Sequence, residues 1–337
     1  MTIDERKAAF IETGNRLRTL STEQLQEWQF RIKSENPWFT PENVQQSLQG
    51  IAFMLEQEQL DQWLEHYSFP ILSPKKIGVV MAGNIPAVGF HDFMCVLLSG
   101  HILLAKLSSQ DTFLIKAIAS IVLEVEPRFG DYIQFVERLT EADATIATGS
   151  DNSARYFHYY FGKKPNIIRQ NRTSCAILTG EETTDELLAL GHDITEYFGL
   201  GCRNVAKLYV PEGYNFTTFL ESIESLSPII HHHKYANNYD YQKAVFLVNQ
   251  IPHFDNGFLL LTPNEALTSP MAVVYYELYT DKEQLKEKIQ VNQEKLQCIV
   301  SRNSWYPGSY SFGQTQCPSP ADYADGVDTM AFLLNLI

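Results

Sequence analysis

The feature that most constrains this chain is an alternation of short apolar runs with helical segments, which begins at Lys76. Such alternation is typical of a parallel sheet that carries helices on both faces. In sheets of this kind, ligands bind beyond the C-terminal ends of the strands. The sequence therefore predicts strands at Ile77–Met81, Ile102–Lys106, Ile133–Val136 and Ala144–Ala147, and helices at Ile85–Leu98, Gln110–Glu126 and Ala154–Phe161.

Two other regions flank this alternating part. Residues 4–66 carry apolar side chains at helical spacing, with interruptions at Asn36–Pro37 and around Pro41, so they are predicted to be helical. Beyond Cys202 a second α/β pattern follows. It predicts strands at Lys207–Val210, near Phe246–Val248, near Phe258–Leu261 and at Ala272–Leu278, with helices at Phe216–Ser225 and Lys282–Gln290.

Length, charge and cysteine usage exclude several classes of protein. A chain of 337 residues is long enough for two domains. The five cysteines are scattered and odd in number, which predicts neither a disulfide framework nor a Cys-x-x-Cys metal site. A net charge of −14 disfavours a nucleic-acid surface. No apolar run approaches the roughly 18 residues that span a membrane, so we expect a cytoplasmic protein without a membrane span.

Three predicted strand ends carry polar or glycine-containing turns. These are Gly83-Asn84, Lys106-Leu107-Ser108-Ser109 and Thr148-Gly149-Ser150. Each is a common kind of turn, but together they fall on the edge of the sheet where a nucleotide would lie. The Gly-x-Gly-x-x-Gly fingerprint is absent, so a Rossmann-like unit here would not be of the usual dehydrogenase kind.

Cys202 is the candidate nucleophile. It follows Gly201, lies after a predicted helix from about Thr184 to Phe198, and directly precedes a β-rich segment. Glycines leave room for a substrate carbonyl, and a nearby helix end or cation can depress the pKa of a thiol. A small buried thiol without a chemical role is the competing interpretation of this residue.

Taken in order, these motifs resemble those of the aldehyde dehydrogenase superfamily and, within it, the fatty acyl-CoA reductases of the bacterial bioluminescence type. The resemblance covers about residues 76–335. It implies that Asn84 helps to form an oxyanion hole and that Cys202 is the catalytic thiol. For the cofactor, it implies a ribose site at Lys106, Ser108 and Ser109, a pyrophosphate site at Gly149 and Ser150, and further contacts from Glu265 and Phe312.

The resemblance also implies an architecture. We expect an aldehyde-dehydrogenase-like α/β fold, with a Rossmann-like parallel-sheet cofactor domain, a second α/β catalytic domain and a helical N-terminal segment. The predicted divisions are residues 1–70 for the helical segment, 71–178 for the nucleotide-binding domain, completed by about 313–337, and 179–312 for the catalytic domain.

Departures from the family pattern sharpen the functional hypothesis. Where aldehyde-oxidising members carry a Glu that activates water, this chain has Arg169-Gln170-Asn171-Arg172-Thr173, without a carboxylate. Hydrolysis of an acyl-enzyme should then be slow, which favours reduction. Ser109 replaces the Glu of NAD-preferring members, which favours NADPH and leaves NADH as an alternative. Ala266 aligns with a Glu that holds the nicotinamide ribose, and the adjacent Glu265 is expected to substitute for it.

The resulting hypothesis is reduction of a long-chain acyl-CoA to the aldehyde through an acyl-Cys202 intermediate. One alternative is a reductase of an acyl phosphate or of a short acyl thioester. Another, from a different class, is a catalytically silent scaffold subunit for an acyl-activating partner. The family resemblance also implies an acyl-activating protein partner and a homo-oligomer, formed through an apolar C-terminal strand near Ala331–Leu334.

Three further segments complete the sequence predictions. His231-His232-His233 is not expected to bind a metal ion, because no Cys or carboxylate stands at ligand spacing. The run Tyr235–Tyr241 is expected to be a structured loop on the substrate side. Cys175 lies in an apolar run and is expected to be a core residue.

Overall fold

The computed structural model describes residues 1–70 and 73–336. The predicted division at residues 70 and 71 and the predicted end at residue 337 therefore involve positions outside the described residues. The described chain forms two compact units, which comprise Met1–Asn171 with Pro318–Ile337 (unit 1) and Arg172–Cys317 (unit 2). No helix in the described part of the chain is both long enough and apolar enough to cross a membrane.

Unit 1 begins with four helices and continues with a five-stranded parallel sheet in the order β3-β2-β1-β4-β5. The helices of unit 1 are α1 (Ile3–Arg18), α2 (Thr22–Glu35), α3 (Pro41–Met54), α4 (Gln57–Leu64), α5 (Phe90–Ser99), α6 (Phe113–Val125), α7 (Asp151–Phe161) and the C-terminal helix (Thr329–Leu334), numbered α12 in chain order. Its strands are β1 (Lys76–Val80), β2 (Ile102–Lys106), β3 (Ile133–Phe135), β4 (Ala144–Thr148) and β5 (Asn166–Arg169).

Unit 2 contains a six-stranded sheet in the order β11-β6-β7-β10-β9-β8, in which only the short edge pair β8–β9 is antiparallel. The strands of unit 2 are β6 (Thr173–Ile177), β7 (Val205–Pro211), β8 (Phe254–Asp255), β9 (Leu260–Pro263), β10 (Val273–Tyr279) and β11 (Leu296–Ser301). Its helices are α8 (Thr184–Thr195), α9 (Phe216–Ser222), α10 (His233–Val248) and α11 (Lys282–Asn292).

The local sequence explains where the helices begin. The side chains of Thr2, Ser21 and Thr183 each accept a hydrogen bond from a backbone N–H of the first turn. The side chain of a Glu or Gln three residues later accepts the backbone N–H of the cap residue. Such capping boxes satisfy two N–H groups that otherwise lack partners. The helical character predicted for residues 4–66 is confirmed, with the interruption at Asn36 between α2 and α3.

Each unit has its own hydrophobic core. In unit 1, α5 packs on β1 and β2, and α1 packs against α3, α5 and α6. Phe10, Phe93 and Leu114 are almost completely buried in this core. In unit 2, α8 and α9 cover one face of the sheet, with Leu190 and Phe219 at the centre. Cys175 is fully buried among the residues on the other face, which confirms its predicted place in the core.

The mixed α/β class, the parallel sheets and the N-terminal helices are as predicted, but four segments are not. The Tyr235–Tyr241 run is part of helix α10, not a loop. Its buried residues Tyr235, Tyr239 and Phe246 lie four and seven residues apart, which is helical spacing. The strand expected near Phe246–Val248 is the last turn of the same helix, where Leu247 and Val248 are exposed.

The C-terminal strand expected at Ala331–Leu334 is helix α12, and the helix expected from Ile85 starts only at Phe90. Asp328 caps α12 by accepting a hydrogen bond from the Ala331 N–H, and Met330 and Leu333 are buried on one side of it. Ahead of α5, Ala87 has a φ of 53°, which is incompatible with a right-handed helix.

Candidate active site

The turns singled out in unit 1 follow β1, β2 and β4, which are neighbouring strands. Because these strands are parallel, their C-terminal ends meet at one edge of the sheet. The chain order reverses between β1 and β4, which makes this edge a topological switch point where ligands of doubly wound sheets bind. The structure therefore brings the six predicted residues of unit 1 to one edge: Asn84, Lys106, Ser108, Ser109, Gly149 and Ser150.

The turn that carries Asn84, residues 82–87, is held in place by side chains from three other segments of the chain. The Asn36 side-chain amide donates to the Gly83 carbonyl at 3.2 Å, and the Ser47 hydroxyl donates to the Pro86 carbonyl at 2.7 Å. The Asp111 carboxylate accepts the Ala87 N–H at 2.7 Å. Asn84 itself is exposed. This region, which we call the Asn84 turn, is thus presented on a fixed backbone.

Asp111 is an unusual anchor for the Asn84 turn because it is almost completely buried. Its second oxygen, Oδ1, has no hydrogen-bond partner among the described residues. Burial raises the pKa of Asp111 to about 7, and the charge of Glu35 acts in the same direction. Glu35 in turn accepts the N–H groups of Thr112 and Phe113 at the start of α6. The anchor of the Asn84 turn therefore ionises near neutral pH.

The turn after β2 lies directly against the Asn84 turn. A Cβ atom added at Gly83 would lie 2.6 Å from the Ser108 Oγ, so a larger residue at that position would displace this turn. Ser108 also accepts the Gln110 N–H at 3.2 Å. Lys106 and Ser109 are exposed. A cation and hydroxyl groups thus stand together at the sheet edge.

The turn after β4 leads into helix α7. The Ser150 hydroxyl accepts the Ser153 N–H at 3.3 Å and caps the helix. Gly149 is packed so closely against Phe157 that an added Cβ would lie 2.8 Å from its ring. The first N–H groups of a helix and its dipole attract phosphate. This donor set, with Lys106 and Ser108 at the end of β2 on the other side of β1, fits a dinucleotide.

Arg169, the first residue of the stretch 169–173 that lacks a carboxylate, is part of the interior of unit 1. Its guanidinium forms two hydrogen bonds with the Asp92 carboxylate, at 2.5 and 3.0 Å, and a third with the Thr329 hydroxyl at 2.8 Å. Burial alone would lower the pKa of Arg169, but Asp92 outweighs it and the pKa is raised. This side chain is a permanent cation and cannot act as a base.

Cys202 is exposed and lies in the turn that leads into β7. The Asn204 carboxamide oxygen accepts the Gly201 N–H at 2.8 Å, and the Ser174 hydroxyl donates to the Cys202 carbonyl at 3.0 Å. The buried Asn204 amide also donates to the carbonyls of Asp193 and Glu196, at 3.1 and 2.9 Å, at the end of α8. This region, residues 201–204, is called the Cys202 turn below.

The remaining cysteines are buried or have a raised pKa. Cys95, Cys175 and Cys298 are buried. Burial raises the pKa of Cys175 to about 12 and that of Cys95 well above its ordinary value. Cys317 is exposed, but burial of its sulfur raises its pKa, as do the carboxylates of Glu196 and Asp193. The competing interpretation of Cys202 as a buried thiol is wrong.

A cavity of about 330 Å³ adjoins the Cys202 turn. One part of its wall is residues 198–200 and 204–206, on both sides of Cys202 in the chain, and another is residues 269–273. Ser269 and Pro270, in the loop before β10, therefore lie in the same cavity wall as the segments that flank Cys202. We call this space the Phe198 cavity.

Glu265 and Phe312 have different surroundings. Glu265 is exposed in the turn after β9. Tyr276 of β10 pairs with Pro263, the last residue of β9, on one side and with Leu208 of β7 on the other. The turn that carries Glu265 therefore begins level with the middle of β7. The buried Lys207 ammonium donates to the Asn264 carbonyl under this turn and pairs with Glu277. Phe312 is 8% exposed and belongs to the core of unit 2.

The segment after Phe312 is held by Asp193, a residue that sequence patterns did not single out. The Asp193 carboxylate accepts the N–H groups of Gly313 and Thr315, at 2.6 and 3.1 Å, and the Thr315 hydroxyl at 2.7 Å. Burial raises the pKa of Asp193, and these hydrogen bonds oppose the increase. A carboxylate near the C-terminal end of a predicted helix, where it opposes the helix dipole, was the available signal.

Asn36, Asp111 and Asn204 were also missed. Asn204 is two residues after Cys202 and could have been suspected as a turn residue. Asn36 and Asp111 lie far along the chain from the turn that they hold, and only the fold reveals their role. Within residues 1–70 and 73–336, no cluster of three or more His, Cys, Asp or Glu side chains is arranged to bind a metal ion.

Comparison with known proteins identifies the family. The family model described as acyl-CoA reductase (LuxC) matches residues 5–226, well over half of the chain. The chain belongs to this family. The match includes the Asn84 turn, the two neighbouring turns of unit 1 and the Cys202 turn, but not Glu265 or Phe312. Membership of the LuxC family and the fold identify an oxidoreductase enzyme that acts as an acyl reductase.

Solved structures support the fold assignment. Aldehyde dehydrogenase 21 from Physcomitrella patens is 13% identical, with a TM-score of 0.68 over 99% of this chain and 84% of its own. An NADP-dependent enzyme from E. coli is 13% identical, with a TM-score of 0.67 over 89% and 73%. A putative aldehyde dehydrogenase from Burkholderia cenocepacia is 12% identical, with a TM-score of 0.64 over 89% and 74%. A search of curated proteins found no match.

Proposed function

We propose that this protein reduces an acyl-CoA thioester to the aldehyde with NADPH, through an acyl group held on Cys202. The observation that carries the proposal is the exposure of Cys202 in a pinned turn of a LuxC-family chain, while the other thiols are buried or have a raised pKa. A nucleophilic thiol must be accessible and ionisable, and burial or a raised pKa disfavours each of the other cysteines.

In the first half-reaction, the Cys202 thiolate attacks the thioester carbonyl carbon. A carbon–sulfur bond to the enzyme forms, and the bond to coenzyme A breaks with its electron pair, so that coenzyme A leaves as a thiolate. Hydrogen-bond donors aimed at the developing oxyanion accelerate such a step by about 100- to 1,000-fold each. From the family resemblance, the Asn84 amide and the Cys202 N–H are the proposed donors.

The cofactor is proposed to be held by Lys106, Ser108 and Ser109 at the ribose and by Gly149 and Ser150 at the pyrophosphate. When bound, the reduced dinucleotide supplies the hydride that converts the acyl carbon to the aldehyde oxidation level. Release of the aldehyde breaks the carbon–sulfur bond and returns the electron pair to Cys202. Glu265 and Phe312 remain proposed contacts for the nicotinamide side, supported by motif position alone.

The nature of Arg169 supports reduction over hydrolysis. An acyl-enzyme is hydrolysed quickly only where a base activates water. Residues 169–173 contain no carboxylate, and the Arg169 side chain is committed to Asp92 and Thr329. We therefore propose that hydrolysis of the acyl-enzyme is slower than its reduction by the cofactor.

The decisive experiment compares Cys202→Ala with the matched variant Cys317→Ala, which removes the other exposed thiol. Both are incubated with radiolabelled acyl-CoA, and the protein-bound label and the aldehyde formed with NADPH are measured. We expect Cys202→Ala to show neither label nor aldehyde while still binding NADPH, and Cys317→Ala to behave like the unchanged protein. Retention of the label by Cys202→Ala would contradict the proposal.

The same assay separates the alternatives. An acyl phosphate or a short acyl thioester as substrate would be revealed by a higher kcat/KM than that of longer acyl-CoAs. A catalytically silent scaffold would neither bind NADPH nor become acylated. The exposed thiol and the dinucleotide-compatible edge of unit 1 favour the enzyme over the scaffold.

A further inference from the structure

We propose that the Phe198 cavity binds the alkyl chain of the acyl substrate and limits its length. This inference rests on the proposed function, because it assigns a place to the chain of an acyl group carried by Cys202. Its evidence is separate from that for the nucleophile and comes from the wall of the cavity, all of which belongs to unit 2.

The first observation is the continuity between the cavity wall and the nucleophile. Phe198, Gly199 and Leu200 line the cavity just before Cys202, and Asn204, Val205 and Ala206 line it just after. A group attached to Cys202 therefore begins within a few bonds of a wall formed by the same chain segment. The alkyl chain of a thioester is such a group.

The second observation is the chemistry of the side chains in the wall, most of which are apolar. The polar side chains in it are already satisfied by the protein. The Tyr235 hydroxyl donates to the Phe258 carbonyl at 3.0 Å, the Ser269 hydroxyl donates to the Val273 carbonyl at 2.5 Å, and the Asn204 amide bonds to α8. Such a wall favours binding of a ligand that forms no hydrogen bonds, and an alkyl chain is a ligand of this kind.

The third observation is that the wall is built on strained backbone. Tyr197, Phe198 and Gly199 have consecutive φ angles of 50°, 60° and 75°, and Ala272, across the cavity, has a φ of 62°. Non-glycine residues in this conformation persist only where the surroundings require it, and they concentrate at functional sites. In this strained turn, the centroid of the Phe198 ring lies 4.3 Å from the centroid of the His232 ring.

The size of the cavity gives the expected specificity. About 330 Å³ lies at the small end of the range for ligand pockets. Each methylene that enters an apolar site improves transition-state binding by about fourfold. We expect kcat/KM to rise by about this factor per methylene until the cavity is full, and then to level off.

The test that needs no variant uses an acyl-CoA with a diazirine at its methyl end. After acylation of the unchanged protein, irradiation should label the peptides that contain residues 194–206 or 269–273. Labelling confined to other peptides would overturn the inference. Failure of Cys202 to become acylated would instead overturn the proposed function, so the two failures are distinguishable.

A substitution pair tests the size limit. Ala206→Leu narrows the cavity, and Ala244→Leu makes the same change on the exposed face of α10 as a control. We expect Ala206→Leu to lower the ratio of long-chain to short-chain kcat/KM by at least about tenfold, and Phe198→Ala to raise it. Ala244→Leu should leave the ratio unchanged. An unchanged ratio in both cavity variants, with melting temperatures near that of the parent, would contradict the size limit.

Discussion

The Asn84 turn of unit 1 and the Cys202 turn of unit 2 differ in the origin of their anchors. The Asn84 turn is held by Asn36, Ser47 and Asp111, and two of these belong to the N-terminal helical segment. The Cys202 turn is held by Asn204 within the turn and by Ser174 on the adjacent strand β6. The comparison shows that the helical segment, to which no predicted site residue belongs, has a structural role at the sheet edge that carries the Asn84 turn.

The environments of the two turns differ as well. The Asn84 turn lies among hydroxyl, amide and ammonium groups at a sheet edge, whereas the Cys202 turn adjoins an apolar cavity. A polar edge suits a dinucleotide, and an apolar cavity suits an alkyl chain. In the proposed function each unit therefore recognises one of the two reactants. The predictions below test this contrast, in order of decreasing effect on turnover.

The largest effect is expected from Asn204→Ala. It leaves the Gly201 N–H and the carbonyls of Asp193 and Glu196 without their partner, and each buried unsatisfied group costs about 1–3 kcal/mol. We expect the free energy of unfolding to fall by about 2–4 kcal/mol and acylation of Cys202 to slow by about 100-fold. Urea denaturation and single-turnover labelling measure these quantities.

Asn204→Asp provides the control. It keeps the acceptor for Gly201 but replaces the donating amide with an oxygen that faces carbonyls, so it should be no better than Asn204→Ala. Full activity of Asn204→Asp would show that donation to the end of α8 is unimportant.

Ser109→Glu should change cofactor preference by about tenfold. A carboxylate at this exposed position would repel a 2′-phosphate by about 1–2 kcal/mol, so the KM for NADPH should rise while that for NADH changes little. Steady-state kinetics with both cofactors measure the effect, and Ser109→Ala is the neutral control. An equal change in the KM for NADPH and for NADH would contradict the prediction, because it would show that the 2′-phosphate does not bind near Ser109.

Asn36→Ala should lower turnover several-fold without changing the reactivity of Cys202 toward a small thiol reagent. The substitution removes the hydrogen bond to the Gly83 carbonyl, a loss of about 1 kcal/mol, and the one that the Asn36 side-chain oxygen accepts from the Trp38 N–H. Of the two turns, it loosens only the Asn84 turn. The rate of alkylation by iodoacetamide and the kcat for acyl-CoA reduction are the two measurements. Parallel loss in both would show that the two turns are not independent.

The smallest effect on turnover is expected from Asp111→Asn, whose signature is the pH dependence of stability. The pKa of Asp111 is raised from 3.8 to about 7 on folding, so the folded state binds the proton more tightly than the unfolded state. Its contribution to stability is therefore lost as pH rises from about 4 to 7. Relative to Asp111→Asn, the melting temperature of the parent protein should fall by a few degrees over that range and then level off. A constant difference would contradict the raised pKa.

Much of the fold was predictable because its signals are local. Alternating apolar runs and helical segments predicted the sheet of unit 1, and β2 has the predicted bounds. The wrong predictions concern short apolar runs, which occur both in strands and at the ends of helices. Apolar residues at the end of α10 and in α12 were interpreted as strands, although a helix can present the same short run.

The candidate site was predicted in part. The positions of Asn84, the turns beside it and Cys202 follow from motif order. The anchors Asn36 and Asp111 could not be predicted, since a polar residue on a predicted surface and one buried beneath a distant turn have the same local sequence. The Phe198 cavity was likewise invisible, because its wall joins residues 194–206, 235, 259 and 269–273.

The sequence by itself determined most of the elements, their parallel arrangement and the family, and it singled out Cys202 as the candidate thiol, because periodicity and motif order depend on neighbouring residues. Only the tertiary structure decided which cysteines are buried, which side chains hold the two turns and where an apolar cavity lies. Those properties arise from contacts between segments far apart in the chain, and burial then sets the pKa and hydrogen-bonding state of each group.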